Sequence, residues 1–428
     1  MLQITSSTSP AKARLIAKHD DDVVIVSAVR TAITKGRKGG FKDTRPEELL
    51  GGVLRSVLTK VNIDPKLIED VAVGAVLPPG GGAGPARMAA LYAGIPNTAA
   101  VNAVNRQCSS GLTAINQIAN EIKTGQIDIG IGAGVESMTF GFGAASQPTG
   151  YSDLILSNQE AEDCLIPMGI TSENVAKDYG IGRLEQDRFA AESFRRAADA
   201  QKAGKFKDEI TPLKVKVIDP KTEEEREIVV EADDGIRDGV TVESLGKLKP
   251  AFTKDGTTHA GNASQVSDGA AAVLLARRSV AKRLGLPILG KFNNASVVGV
   301  PPRVMGVGPA FAIPIALKKA GITIEDVDFF EINEAFASQA VFSVKHLGIP
   351  FEKVNVHGGA IAIGHPLGCS TFFLFLPDTM AAQYFLSAGA RQVATGLNIS
   401  KQYGAKVFVT SMCIGSGMGM AAVFVSEQ

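Results

Sequence analysis

The chain has 428 residues, 45% of them hydrophobic, which is enough for two or three domains with sizeable cores. Lysine plus arginine and aspartate plus glutamate number 44 each, so net charge gives no reason to expect nucleic acid or an anionic membrane as partner. Four cysteines (Cys108, Cys164, Cys369 and Cys413) with no CxxC pair argue against a disulfide scaffold and a metal site, and no run of 18 apolar residues reads as a membrane span.

Residues 1–21 are rich in serine and threonine near their start and lack an apolar signal core; a flexible tail is expected there. A strand follows in "DVVIVSAVR" (22–30), then a helix in "PEELLGGVLRSVLTKV" and a buried strand in "IEDVAVGAVLP". After the loop "NAVNRQCSSG" come the helix "LTAINQIANEIKTG" and the strand "DIGIGAGVESM". Strands alternating with helices predict an α/β fold with buried sheets. Residues 139–265 are more polar, with "DPKTEEEREIVVEADDG" among them, and read as an inserted lid or binding domain. "SDGAAAVLLARRSVAKRLG" then returns to core composition, so 22–138 and 266–288 form one half and 289–428 the other.

The two halves repeat one pattern. "KVNIDPKLIEDVAVGAVLP" from Lys60 matches "KKAGITIEDVDFFEINEAF" from Lys318, sharing "IEDV" between a helix end and a buried strand. "SGLTAINQIANEIKTGQIDIGIGAG" from Ser110 matches "GARQVATGLNISKQYGAKVFVTSM" from Gly389. Duplicated halves pack as a pseudo-symmetric pair with their loops converging. The repeat leaves no room for the apolar, aromatic run 371–388, which stands between "GHPLGCS" and "GARQ". That run would either extend the following helix backward or bulge out, exposing Phe372, Phe373 and Phe375.

Four loops carry reactive groups. Cys108 in "NRQCSSG" precedes an amphipathic helix, whose dipole favours thiolate, although a buried structural cysteine fits the local sequence equally well. His365 in "GGAIAIGHPLG" is a candidate proton acceptor or oxyanion donor, or a turn histidine bonded to backbone. Cys413 in "SMCIGSGMG" ends a strand and enters a turn whose N–H groups can point at an oxygen; the strand that follows disfavours dinucleotide binding. Asn333 and Glu334 in "EINEAFASQA" can fix a water or carbonyl, or Asn333 can cap a helix. A nucleophilic thiol, a base, a second thiol and an amide suit acyl transfer through a thioester.

"NRQCSSGLTAI", "GVESMT", "PMGITSENVA", "TKDGTTHAGNASQVSDGAAA", "EINEAFASQA", "GGAIAIGHPLGC" and "SMCIGSGMG" resemble the thiolase family, most of all its degradative 3-ketoacyl-CoA thiolases of peroxisomes. The resemblance implies a duplicated five-layered αβαβα core with an inserted loop domain. It also implies thiolytic cleavage of 3-ketoacyl-CoA, with coenzyme A as co-substrate, no metal, and a homodimer. It makes Cys108 the acylated nucleophile, His365 its proton acceptor, Cys413 the second acid–base, and Asn333 the holder of a water in one oxyanion hole. Backbone N–H groups of Cys108 and Gly415 would form the other. Arg237 resembles the contact to the CoA nucleotide; Ser264, Phe252, Ala260 and Met168 resemble the substrate and pantetheine wall. Peroxisomal location follows from the resemblance, with mitochondrial or cytoplasmic location as alternatives, because "RLIAKHDDD" departs from a peroxisomal nonapeptide. The intact "CIGSGMG" argues against a ketoacyl synthase. A biosynthetic acetoacetyl-CoA thiolase, or a thiolase impaired by the run 371–388, remain the competing readings.

Overall fold

All eight residues of Val23–Arg30 are buried, the mark of a strand covered on both faces. This strand, β1, lies at the middle of the protein, described here from a computed structural model that covers residues 9–141, 150–365 and 389–428. Before it comes a short helix, α1 (Pro10–Ile16). After it come β2 (Thr34–Lys35), α2 (Pro46–Thr59), β3 (Asp70–Gly74), α3 (Ala83–Tyr92), β4 (Ala100–Val104), α4 (Ser110–Thr124) and β5 (Ile129–Ser137). The polar stretch supplies α5 (Met138–Gly141), α6 (Asp153–Leu156), α7 (Gln159–Asp163), α8 (Met168–Asp178), α9 (Arg183–Lys202), the hairpin β6 (Leu213–Ile218) and β7 (Glu225–Val230), and α10 (Val242–Gly246). The chain then returns through β8 (Ser267–Arg277) and α11 (Arg278–Arg283). The second half holds β9 (Gly290–Gly299), α12 (Gly308–Ala320), β10 (Phe329–Ile332), α13 (Ala337–Leu347), α14 (Ala360–Ile363), α15 (Gly389–Tyr403), β11 (Val407–Ile414) and β12 (Met418–Ser426).

The strand order exposes the duplication. One half runs β4-β3-β5-β8-β1 and the other β10-β11-β12-β9, joined by a short antiparallel ladder between β1 and β9. In each half a parallel pair (β3 with β5, β10 with β11) is followed by two antiparallel pairs (β5–β8–β1, β11–β12–β9). Where the first half has β4 beside β3, the second has a single parallel bridge from Phe330 to Val354.

Hydrophobic periodicity explains the layers. Helix α2 starts with Pro46 and two glutamates, suited to a helix N-terminus, and buries Leu49, Leu50, Val53, Leu54, Val57 and Leu58 along one stripe. That stripe and α3 cover the outer face of the first sheet. The inner face meets α4 and α15, whose Ile115, Ile118, Val393 and Leu397 share one core with Phe292, Phe408 and Phe424 of the second half. Helices α12 and α13 close the far side. The five layers expected from the sequence are therefore present.

Within the stretch 1–21 expected to be flexible, residues 9–21 are ordered: Leu15 enters the core of the second half, and the Lys12 ammonium pairs with buried Asp328 at 2.6 Å. Burial of one leucine and a paired lysine outweighs the polar composition that pointed to disorder. The run 371–388 lies outside the described residues.

A buried ionic knot fixes the polar stretch to both halves. Arg30 of β1 donates to Glu209 (2.6 Å) and in bidentate fashion to Asp233 (2.7 and 2.9 Å). Glu209 also accepts from Thr395 and Asn398, one face of α15.

Candidate active site

Cys108 is fully buried two residues ahead of α4. The loop before it is tied by its own polar groups: Asn105 accepts from the Gln107 amide N–H at 2.9 Å, and Ser110 Oγ accepts from Arg106 N and donates to Gln107 O. Gln107 has a positive φ of 47°, a sparsely used conformation for a non-glycine residue, and it turns the chain into the helix at Cys108. A side chain at Gly74 would strike the backbone of Ser110 and Gly111, so β3 needs glycine there to let α4 start where it does. The thiol packs among Leu77 and Met138, with Val266 beside them.

Cys413 is also fully buried, at the end of β11. Burial pushes its thiol up to about 12, so it is a protonated thiol, not a thiolate, at neutral pH. Its Sγ lies 3.6 Å from Gln339 Oε1, which also accepts from Ala335 N. Beyond it Gly415 is buried and the turn closes through Ser416 and Gly417, both at positive φ. Gln107 Nε2 donates to Ser416 Oγ at 2.9 Å, so the Cys108 loop and the Cys413 turn are joined directly.

His365 is linked to the Cys108 side through Val266 and to β11 through Asn333, whose N–H donates to Ser411 O. Its backbone N–H donates to Gln265 O and it forms a parallel bridge with Val266, the residue that packs beside Cys108. Asn333 Nδ2 donates to its Nε2 at 3.1 Å, while Nδ1 has no hydrogen-bond partner among the described residues. Burial, reinforced by the nearby Arg391 cation, pushes the imidazole down to about 3; it rests uncharged. The helix-cap reading of Asn333 does not hold, because α13 begins at Ala337 and Phe336 occupies its cap position.

The structure brings Met168 and Phe252 into one apolar cluster with Cys413, Ala335 and Phe336. Ser264 is buried next to it, its N–H donating to Ala335 O; Ala260 is exposed nearby. Arg237 lies apart and exposed, stacked over the Phe194 ring of α9 at 5.1 Å. Sequence reasoning missed Gln107, Gln339 and Ser416. The first stands next to Cys108 in its motif and the last inside "CIGSG"; proximity to those motifs was the available signal.

His357 is buried, and burial together with Lys205 pushes it down to about 4. The unfolded chain takes up a proton near pH 6.5 that the folded one refuses, so this site destabilises the fold progressively as pH falls from 6.5 toward 4. Between pH 7 and 5, His357→Gln is expected to lose about 2 kcal/mol less stability than wild type. Urea melts at the two pH values check this; equal losses would refute it.

The description "Thiolase, N-terminal domain" matches residues 23–279, and "Thiolase, C-terminal domain" matches residues 286–376. The chain belongs to the thiolase family. A 3-ketoacyl-CoA thiolase, peroxisomal, of Yarrowia lipolytica is 57% identical over 421 residues, spanning 98% of this chain and 97% of that one. The peroxisomal 3-ketoacyl-CoA thiolase B of Rattus norvegicus is 54% identical, spanning 97% and 93%. Among solved structures, the dimeric peroxisomal thiolase of Saccharomyces cerevisiae matches with TM-score 0.85 and 49% identity, covering 97% of this thiolase and all of that chain. The match to the C-terminal family description stops at residue 376, inside the run that the internal repeat does not accommodate.

Proposed function

We propose that this thiolase is a peroxisomal 3-ketoacyl-CoA thiolase of fatty acid β-oxidation, cleaving 3-ketoacyl-CoA with CoA to acetyl-CoA and an acyl-CoA two carbons shorter. The observation that carries the reading is the meeting of two thiol loops, tied by Gln107 and Ser416, with an uncharged His365 bridged to Val266 beside Cys108. In this reading Cys108 Sγ attacks the C3 carbonyl and its proton passes to His365. Breaking the C2–C3 bond leaves the electron pair on acetyl-CoA as an enolate, which takes the Cys413 proton. The Cys413 thiolate then takes the proton of the incoming CoA thiol. The CoA sulfur attacks the acyl group, and Cys108 leaves and recovers its proton from His365. A water held by Asn333, and the N–H groups of Cys108 and Gly415, serve the developing oxyanions.

A burial-raised thiol suits the second role, because it holds a proton until a stronger base, the enolate, forms beside it. Residues 139–265 carry CoA in this scheme, with Arg237 on the nucleotide and Met168, Phe252, Ala260 and Ser264 along the acyl and pantetheine path. Strand β4 is an open sheet edge, and on α3 beside it Met88, Leu91 and Tyr92 are exposed; a second copy of the chain covers this face in a homodimer. CoA-dependent cleavage of acetoacetyl-CoA against a long-chain 3-ketoacyl-CoA tests the activity and separates degradative from biosynthetic preference.

One observation favours a second reading. Both the repeat and the C-terminal match break at the run 371–388, and in this second reading the insertion impairs the enzyme. Its deletion is expected to raise both kcat and soluble yield. The frame on either side is held independently of it: His365 by Gln265 and Asn333, α15 by Glu209. Equal kcat in the two forms rules the second reading out.

A further inference from the structure

Glu334 follows Asn333 in the chain, but its side chain leaves the thiols and turns toward the segment that leads to His365. It is almost fully buried. One carboxylate oxygen accepts from Ser193 Oγ (2.7 Å) and from the Ile361 N–H (3.1 Å); the other accepts from Asn355 Nδ2 (2.7 Å). Ser193 Oγ in turn accepts from the Gly359 N–H at 3.0 Å. A side chain at Gly359 would strike the Glu334 carboxylate, and one at Gly358, which has φ of 76°, would strike the backbone of α9 at Ser193. The segment 355–361 is thus pressed between Glu334 and α9. Four residues beyond Ile361, past α14 and Gly364, stands His365, whose own N–H is held by Gln265.

We propose that Glu334 is a positioning residue for His365, acting through Ser193 and the backbone of Gly359 and Ile361. This rests on the reading that His365 serves the reaction.

The chemistry of the knot makes the carboxylate hard to replace. Asn355 cannot rotate its amide, because its Oδ1 accepts from Ile332 N and its Nδ2 donates to Ile332 O, both at 2.8 Å. A glutamine at 334 must therefore set an NH2 group against either the Asn355 NH2 or the Ile361 N–H. Donor faces donor in both rotations, and the segment moves. A shift of about 1 Å at a catalytic group lowers rate on the order of 100-fold.

Steady-state thiolysis by full-length Glu334→Gln, Ser193→Ala and the double variant tests the proposal, with folding followed by thermal melts. Glu334→Gln is expected to lower kcat about 10- to 100-fold while the KM values for CoA and 3-ketoacyl-CoA stay within about twofold. Ser193→Ala is expected to lower kcat several-fold. The double variant is expected to be no worse than Glu334→Gln, since both changes release one segment. A folded Glu334→Gln with near wild-type kcat, or strictly additive losses, overturns the proposal. If Glu334→Gln does not fold, Ser193→Ala decides alone: kcat within about twofold of wild type overturns it. His365→Asn separates the two ideas. If that variant keeps full activity, the role of His365 fails; if it is inactive while Glu334→Gln is unaffected, only the present proposal fails.

Discussion

Cys108→Ala is expected to abolish thiolysis, lowering kcat by at least about 10⁴-fold, while leaving the fold intact. Its thiol occupies a fully buried site lined by Leu77 and Met138, and alanine removes only one sulfur from that wall. The predicted stability change is therefore small against the change in rate. Cys413 rests protonated, so it supplies no competing thiolate at neutral pH. Incubation with 3-ketoacyl-CoA and mass measurement of the intact chain adds a second readout. Wild type is expected to gain the acyl mass at the Cys108 peptide, and the variant none. An acylated Cys108→Ala chain would place the nucleophile elsewhere.

Cys413→Ala is expected to lower kcat about 10²- to 10⁴-fold, the range for loss of one general acid–base group. The distinction from Cys108 lies in which step fails. The variant retains the Cys108 loop, because Gln107 holds Ser416 through its side-chain hydroxyl and not through Cys413. Iodoacetamide is therefore expected to alkylate Cys108 at the wild-type rate in the Cys413→Ala protein. Turnover fails because the enolate lacks its proton donor and the incoming CoA thiol lacks its base. If alkylation of Cys108 slows in parallel with turnover, Cys413 supports the loop rather than the proton transfers.

The groups proposed for chemistry were legible because each stands in a local pattern that constrains its own backbone. Asn105, Ser109 and Ser110 bracket Cys108 with short-range hydrogen bonds, Gly364 precedes His365, and Gly415 and Gly417 follow Cys413. Such turn chemistry depends on residues a few positions apart, so reading along the chain finds it. The layered fold was legible for a similar reason: the apolar stripe of α2 and the fully buried β1 follow from periodicity alone. The ordered N-terminal helix was not legible, because its one buried leucine and its lysine find their partners in residues more than 300 positions away.

The sequence by itself determined the duplication, the alternation of strands and helices, and which four loops hold thiols, imidazole and amide. Tertiary structure alone decided how those groups behave. Cys413 is held protonated and His365 uncharged by burial, and burial is the work of segments distant in the chain. Arg391 reaches His365 from α15, Gln107 reaches Ser416 across the two halves, and Ser193 reaches Glu334 from α9. Electrostatics and hydrogen bonding depend on distance in space, which local pattern does not encode.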